Sequence, residues 1–230
     1  MDVTVRDLDG IAEWTAAARL YREVFGYTDP AFGLTPRLLA ALRRNGGSVI
    51  GALGEDGALV GFCFGFSAVE DGEFYHYSQA AVVAPAAQGS GVGRLLKHAQ
   101  AAVARRTGAR TMRWTFDPYA LRNAHFNFAV LGATGIRFGA DFYDEPGTDR
   151  VLVSWDLDPA GRASPAGFSL AEAVVVAAGE RFAAPEPADR AWLRRELVAR
   201  FAAGRHLVGV VRPDGDPARV AYQFRPGDAA

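Results

Sequence analysis

Gln88-Gly89-Ser90-Gly91-Val92-Gly93-Arg94 is the stretch on which the fold of this chain turns. It follows an apolar run, Ala80-Ala81-Val82-Val83, with Pro85 between them, and leads into Leu95-Leu96-Lys97, which reads as the start of a helix. Three glycines within five residues leave the backbone nearly bare of side chains. Glycine adopts a positive φ at little steric cost, so successive N–H groups can turn inward into a nest. A helix N-terminus adds unpaired N–H groups and a partial positive charge. Strand, glycine-rich turn and helix start together suit a pyrophosphate or a similar anion.

The spacing narrows the choice of anion. A P-loop requires G-x-x-x-x-G-K-[ST], and no Lys-Ser/Thr pair follows here. A dinucleotide fold requires G-x-G-x-x-G, whereas this stretch reads G-x-G-x-G with Arg94 next. What remains, Q-x-x-G-x-G, resembles the acyl-CoA-binding motif of the GNAT superfamily of N-acyltransferases, Q/R-x-x-G-x-G/A.

Composition sets the frame. With 230 residues, half of them hydrophobic, the chain can bury a full core. A net charge of −1 provides no basic field for nucleic acid and no polybasic tail for a membrane. Cys63 is the single cysteine, which excludes an internal disulfide and a cysteine-based zinc site, and no metal is expected. It sits in an apolar strand and reads as a small buried hydrophobe rather than a nucleophile. The start, Met1-Asp2-Val3-Thr4-Val5-Arg6, lacks a long apolar region, and a cytoplasmic protein is expected.

Along the chain, Val3–Val5 alternates as a short strand, and a helix runs from Ile11 to Phe25 with Ile11, Trp14, Ala18, Tyr21 and Phe25 in helical register. Thr35-Pro36 opens a second helix to Arg44 as cap and first residue. A meander follows: strands Ser48–Leu53, Leu59–Val69 and Glu73–Val83, with turns at Asp56-Gly57 and Asp71-Gly72. Strict alternation on the third of these puts Glu73 and His76 on opposite faces. The helix after the glycine-rich turn reaches Arg106, and a strand spans Thr111–Phe116. Asp117-Pro118 predicts another helix, ending at Leu131-Gly132. Strands Gly135–Tyr143 and Asp149–Leu157 complete residues 1–157. Residues 158–167 are rich in Pro, Gly and Ala and read as a linker. Residues 168–230 predict a strand (Glu172–Ala177), a helix (Pro187–Gly204) and a hairpin of His206–Val211 and Arg219–Phe224 about Asp214-Gly215. So small a segment makes a weak independent core, so it is expected to dock on the first domain or on a second subunit, the latter a homodimer.

The order of elements also resembles the GNAT fold: an α/β (α+β) chain with a mixed, mostly antiparallel sheet, splayed like a V and flanked by helices, here with a small C-terminal appendage. The likeness extends to a largely uncharacterised subgroup. Its recurring runs are matched by Trp114-Thr115-Phe116-Asp117-Pro118, Asn123-Ala124-His125-Phe126-Asn127, Leu131-Gly132-Ala133 and Asp149-Arg150-Val151-Leu152-Val153-Ser154-Trp155.

The resemblance implies acetyl-CoA, or another short acyl-CoA, as co-substrate. Its pyrophosphate would sit on the N–H groups of Gln88, Gly89, Ser90, Gly91, Val92, Gly93 and Arg94. Its pantetheine arm would pair like an added strand with Ala81, Val82 and Val83, and Asn123 is the family-like side chain reaching that region. Transfer to an amine also needs a base, and Glu73 and His76 are the candidates on the fourth strand. Glu73 also reads as a solvated residue after a turn, His76 as a core histidine, and Asp117 first of all as a cap.

One departure stands out. Many family members carry a tyrosine late in the fourth major helix as acid for the departing thiolate, and counting back from Gly132 places Phe128 there. Tyr119 or Tyr143 could substitute, the thiolate could leave to water, or catalysis could be lost. The expected activity is acyl transfer to a small-molecule amine or amino acid by direct attack in a ternary complex. Subgroup members imply succinyl-CoA as an alternative donor, with Arg113, Arg122 or Arg137 pairing with its carboxylate. The rival expectation is a non-catalytic acyl-CoA-binding module that signals to a partner.

Overall fold

The computed structural model describes residues 2–158, 173–177, 183–213 and 218–227. The linker expected at 158–167 lies, from residue 159 onward, outside them, as does the turn at Asp214-Gly215. The fold is mixed α and β, with five α-helices among the described residues and mostly antiparallel strands. The chain forms two compact units, residues 1–112 and residues 113–230.

In the first unit the strands are β1 (Thr4–Asp7), β2 (Ser48–Leu53), β3 (Leu59–Glu70) and β4 (Glu73–Val83), each antiparallel to the next. Helices α1 (Gly10–Phe25), α2 (Pro36–Arg44) and α3 (Val92–Arg106) cover the sheet. Helix α1 starts at Asp9, whose side chain accepts from the Gly10 N–H, and stops at Gly26, held left-handed at φ 69°. Thr35 caps α2 through its hydroxyl, and Pro36 supplies the first helical residue.

The period of two in β3 sorts the core. Phe62 and Phe64 point to one face and pack with Trp14, Leu20, Leu39 and Val49, the side of α1 and α2. Cys63 points to the other and packs with Ile50, Val92 and Leu96, the side of α3. The alternation expected along β4 is interrupted. Phe64 pairs with Ala80 and Gly65 with Ser78, so Gln79 has no partner on β3 and forms a bulge.

Strand β5 (Thr111–Phe116) leads into the second unit. There, the helix expected from Asp117 to Leu131 is shorter and changes type. Asp117 accepts instead from the Tyr119 N–H at 2.8 Å in an Asx turn. Helix α4 covers Leu121–His125, and a π-helical turn follows over Phe126–Val130. Strand β6 (Thr134–Gly139) ends four residues before the expected Tyr143, because Asp141 turns the chain at φ 46° and anchors its N–H on Asp149 Oδ1 at 2.9 Å.

The remaining elements are β7 (Arg150–Asp156), β8 (Ala173–Ala177), α5 (Pro187–Ala202), β9 (Arg205–Val211) and β10 (Arg219–Pro226). Within this unit they order as β7-β6-β9-β10-β8. Strand β9 meets β6 at the Gly135–Leu207 pair. Leu193 and Leu197 of α5 are fully buried, as are Tyr222 and Leu207. Among the described residues no helix is long and apolar enough to cross a membrane.

Candidate acyl-CoA site

The glycine-rich turn begins at the end of β4 and is pinned there. A short 3-10 turn over Pro85–Ala87 redirects the chain, and the Gln88 side chain reaches back to donate to Val83 O at 3.2 Å. Ser90 Oγ closes the turn by donating to Ala87 O at 2.6 Å. Gly89 has φ 81° and Gly91 φ 89°, values that L-residues rarely adopt. Gly91 is the N-cap of α3 and contributes no side chain to its first turn.

The backbone donors divide clearly. The Gln88 N–H donates to Pro85 O at 3.3 Å and the Arg94 N–H to Gly91 O at 3.0 Å, so both ends of the expected cradle are committed. Among the described residues, the N–H groups of Gly89, Ser90, Gly91, Val92 and Gly93 have no acceptor. A Cβ added at Gly89 or Gly91 would meet nothing within 4 Å, so this run opens outward. Consecutive orphan amides at the mouth of a fifteen-residue helix make a donor set of the kind an anion can accept from.

Beside this turn, Ala81, Val82 and Val83 hydrogen-bond as a strand to Cys63, Phe62 and Gly61. Glu73 is exposed at the opposite end of β4, where Thr111 Oγ1 lies 3.4 Å from its Oε1. Gln79 lies six positions further along the strand, roughly 20 Å. The structure therefore places Glu73 far from the glycine-rich turn.

His76 lies in the core, fully buried, with Nε2 2.9 Å from Ser48 Oγ. Gln100 Nε2 donates to the same hydroxyl at 2.9 Å. The hydroxyl can accept two hydrogen bonds as well as give one, so which of Ser48 Oγ and His76 Nε2 donates is set by the imidazole tautomer. Neither Nδ1 nor Gln100 Oε1 has a partner among the described residues. Burial, reinforced by the nearby Lys97 charge, lowers the His76 pKa to about 4. The ring is neutral at pH 7 and sealed from solvent, so the core reading of His76 is the one the structure supports. Gly65 makes room for it: a Cβ there would come within 2.3 Å of Tyr77 O and 2.8 Å of His76 Nε2.

Next to this network Lys97 is 3% exposed, and its Nζ donates to Ser78 Oγ at 2.8 Å. Burial pulls its pKa down to about 7, with a small opposing pull from Cys63. The Cys63 thiol is pushed up to about 12, again by burial, and is inert at neutral pH. Nothing in the spacing of the sequence marked these residues as a group. The glycine inside β3 was the available signal, since such a residue often accompanies a bulge or a close approach.

In the second unit Tyr119 is buried, and its hydroxyl donates to Asp149 Oδ2 at 2.5 Å. Burial first, and then Asp149, raise its pKa. Arg194 of α5 binds the same carboxylate at 3.1 Å and Asp141 at 2.8 Å, while Arg190 lies over the Tyr119 ring at 4.3 Å. These contacts bind Tyr119 into a clasp between α5 and the loop before β7. Phe128 is buried with its ring 5.7 Å from that of Phe116. Asn123 is exposed on α4, but Asn127 is buried and accepts from Trp114 Nε1 at 3.1 Å, so the two asparagines do not share an environment. Arg113 is buried, whereas Arg122 and Arg137 are exposed.

Comparison with solved structures finds similar folds. A GNAT-family protein of Desulfovibrio desulfuricans aligns over 68% of this chain and 100% of its own, at 20% identity and a TM-score of 0.56. The yncA protein of Salmonella typhimurium, whose structure was solved with its cofactor acetyl-CoA, aligns over 72% of this chain and all of its own, at 21% identity and a TM-score of 0.55. The ribosomal-protein-S18-alanine N-acetyltransferase of Escherichia coli aligns over 71% and 99% of the two chains, at 16% identity and a TM-score of 0.53. At such identities the likeness is one of fold. A search of the curated proteins found no match. The sequence model of the acetyltransferase (GNAT) family matches residues 12–128, more than half of the 230, and the chain belongs to that family.

Proposed function

We propose that the protein transfers the acetyl group of acetyl-CoA to the amine of a small molecule or amino acid. The observation that carries this reading is the run of acceptor-free N–H groups from Gly89 to Gly93 at the start of α3. These amides would hold the pyrophosphate, and the backbone of Ala81, Val82 and Val83 would align the pantetheine arm. The amine nitrogen attacks the thioester carbonyl, the C–N bond forms, the C–S bond breaks, and coenzyme A leaves as the thiolate. No covalent intermediate on the protein is needed, in keeping with the buried, protonated Cys63.

Proton transfer is assigned to solvent. His76 is neutral and enclosed, and Glu73 stands at the far end of β4. The acceptor would enter as its free base. The thiolate needs no acid of its own, since a thiol has an ordinary pKa near 8.5. Phe128 and the engaged hydroxyl of Tyr119 accord with departure to water.

A second reading, an acyl-CoA-binding module without turnover, is favoured by the same two residues. Titration calorimetry with acetyl-CoA, together with thiol release across an amine panel, separates the readings. Binding with release supports the transferase. Micromolar binding with no release on any amine supports the module, and absence of binding overturns both.

A further inference from the structure

A cavity of about 280 Å³ opens in the first unit, between the α1–α2 connection and the β3–β4 ladder. Tyr21, Phe32, Phe64 and Phe66 supply four aromatic rings to its wall, Leu38 of α2 an aliphatic side, and Gln79 its polar corner. None of the described residues lining it is charged. Three of these side chains present apolar surface to solvent: Phe32 is 60% exposed, Leu38 47% and Phe66 37%. Ring contacts hold the wall, with Tyr21 edge-on to Phe64 at 6.5 Å and Tyr27 tilted against Phe32 at 5.6 Å. Gln79 reaches the cavity from the β4 bulge, where β3 offers it no partner.

From these observations we propose that the cavity takes the neutral aryl group of the acceptor, so that the substrate class is arylalkylamines. This deepens, and rests on, the transferase reading above. The lining offers no counter-charge, so a carboxylate or ammonium would lose its water without gaining a partner. The volume lies just below that of pockets that enclose a whole drug-sized ligand, about 300–1,000 Å³, so it suits one ring-sized group. Gln79 stands two strand residues before Ala81, about 7 Å, which leaves the amine next to the backbone proposed to hold the arm. The Gln79 amide, with a donor and an acceptor, can hold the amine as the ring seats.

The test uses the full-length chain and two primary amines, 2-phenylethylamine and ethanolamine. Binding of each is followed by calorimetry, and thiol release from acetyl-CoA gives kcat/KM. The aryl amine should exceed ethanolamine by about tenfold or more, as expected when a hydrophobic pocket is filled. Leu38→Trp, placed at an exposed position, should fill the mouth. It should lower kcat/KM for the aryl amine about tenfold, leave ethanolamine within about threefold, and leave acetyl-CoA affinity unchanged. Phe32→Ala, also exposed, should weaken aryl binding and serves should Leu38→Trp lower the melting temperature.

Equal or better use of ethanolamine, or two well-folded variants with unaltered aryl preference, overturns the proposal while acetyl-CoA turnover keeps the transferase. Conversely, aryl-amine binding that Leu38→Trp abolishes, in a protein that neither binds nor consumes acetyl-CoA, supports the pocket and overturns the transferase. Failure to bind either amine overturns the pocket.

Discussion

Replacing Lys97 with methionine probes the buried polar layer between β4 and α3. Lys97 is 3% exposed, and burial lowers its pKa from 10.5 to about 7. In the unfolded chain the group keeps its ordinary value. Between those two values the unfolded state holds a proton that the folded state has released, so stability rises with pH across that window. At pH 7 the depression costs the fold about 4 kcal/mol, and at pH 9 about 2 kcal/mol, so wild type should gain about 2 kcal/mol between them.

Neighbouring groups leave that window clear. His76, with its pKa lowered to about 4, adds stability as pH rises from 4 to about 6.5 and then stops. Cys63, raised from 9.0 to about 12, acts oppositely: its unfolded thiol ionises first, so stability falls as pH rises above 9. Methionine keeps most of the length of lysine but leaves Ser78 Oγ without its 2.8 Å donor, at a cost of about 1–3 kcal/mol. The variant should therefore be more stable than wild type at pH 7 by about 1–3 kcal/mol and should lose the slope between pH 7 and 9. Urea unfolding at pH 7, 8 and 9 measures both. A wild type whose stability is flat or falls over that interval, or a variant weaker than wild type at pH 7, would refute the reasoning and show that Lys97 remains a well-solvated ammonium.

Gly91→Ala must place a Cβ at φ 89°, which should cost about 1–2 kcal/mol in stability and weaken acetyl-CoA binding about tenfold by turning the orphan amides away; unchanged affinity by calorimetry would contradict the cradle. The pH dependence of kcat/KM should follow the acceptor amine, rising about tenfold per pH unit below that amine's own pKa. Exchanging a basic amine for a weakly basic one should move the midpoint, and a fixed midpoint would point to a base on the protein. Tyr119→Phe should lower stability by about 1–3 kcal/mol through loss of the bond to Asp149 and leave kcat within about twofold. A fall in kcat at unaltered melting temperature would make Tyr119 the proton donor instead.

Much of this architecture was readable before any coordinates. Local signals sufficed where they act alone: Asp9 and Gly26 bound α1, Thr35-Pro36 starts α2, and the glycine-rich turn feeds α3. Failures occurred where a distant partner decides the outcome. Asp117-Pro118 looks like a helix cap, yet the Asp117 carboxylate is used in an Asx turn, and Tyr222 donates to Pro118 O from 104 residues away. The break at Phe126 into a π-turn accompanies burial of Asn127 against Trp114, a pairing that no spacing rule reveals. In β4 the periodic pattern assigns faces to Glu73 and His76, but it is blind to the bulge at Gln79 and to the seal that Ser48 and Gln100 form over the imidazole. The run of unpaired amides was legible because glycine spacing encodes it, though Gln88 and Arg94, expected to share in it, are committed to backbone carbonyls. The acid–base chemistry was not, because it depends on burial.

The strand order of the second unit bears on how the chain is made. Strand β10 is the last of these strands to leave the ribosome, yet it lies between β9 and β8. The contacts that β1 to β4 and α1 to α3 make among themselves, by contrast, need no residue beyond 106. Translation would thus yield a settled first half while β8 waits for its neighbour with an unpaired edge, the kind of surface that recruits other strands. A nonsense codon just after α5 would fix the nascent protein in that state, leaving a product bound for aggregation or proteolysis although its glycine-rich cradle is intact.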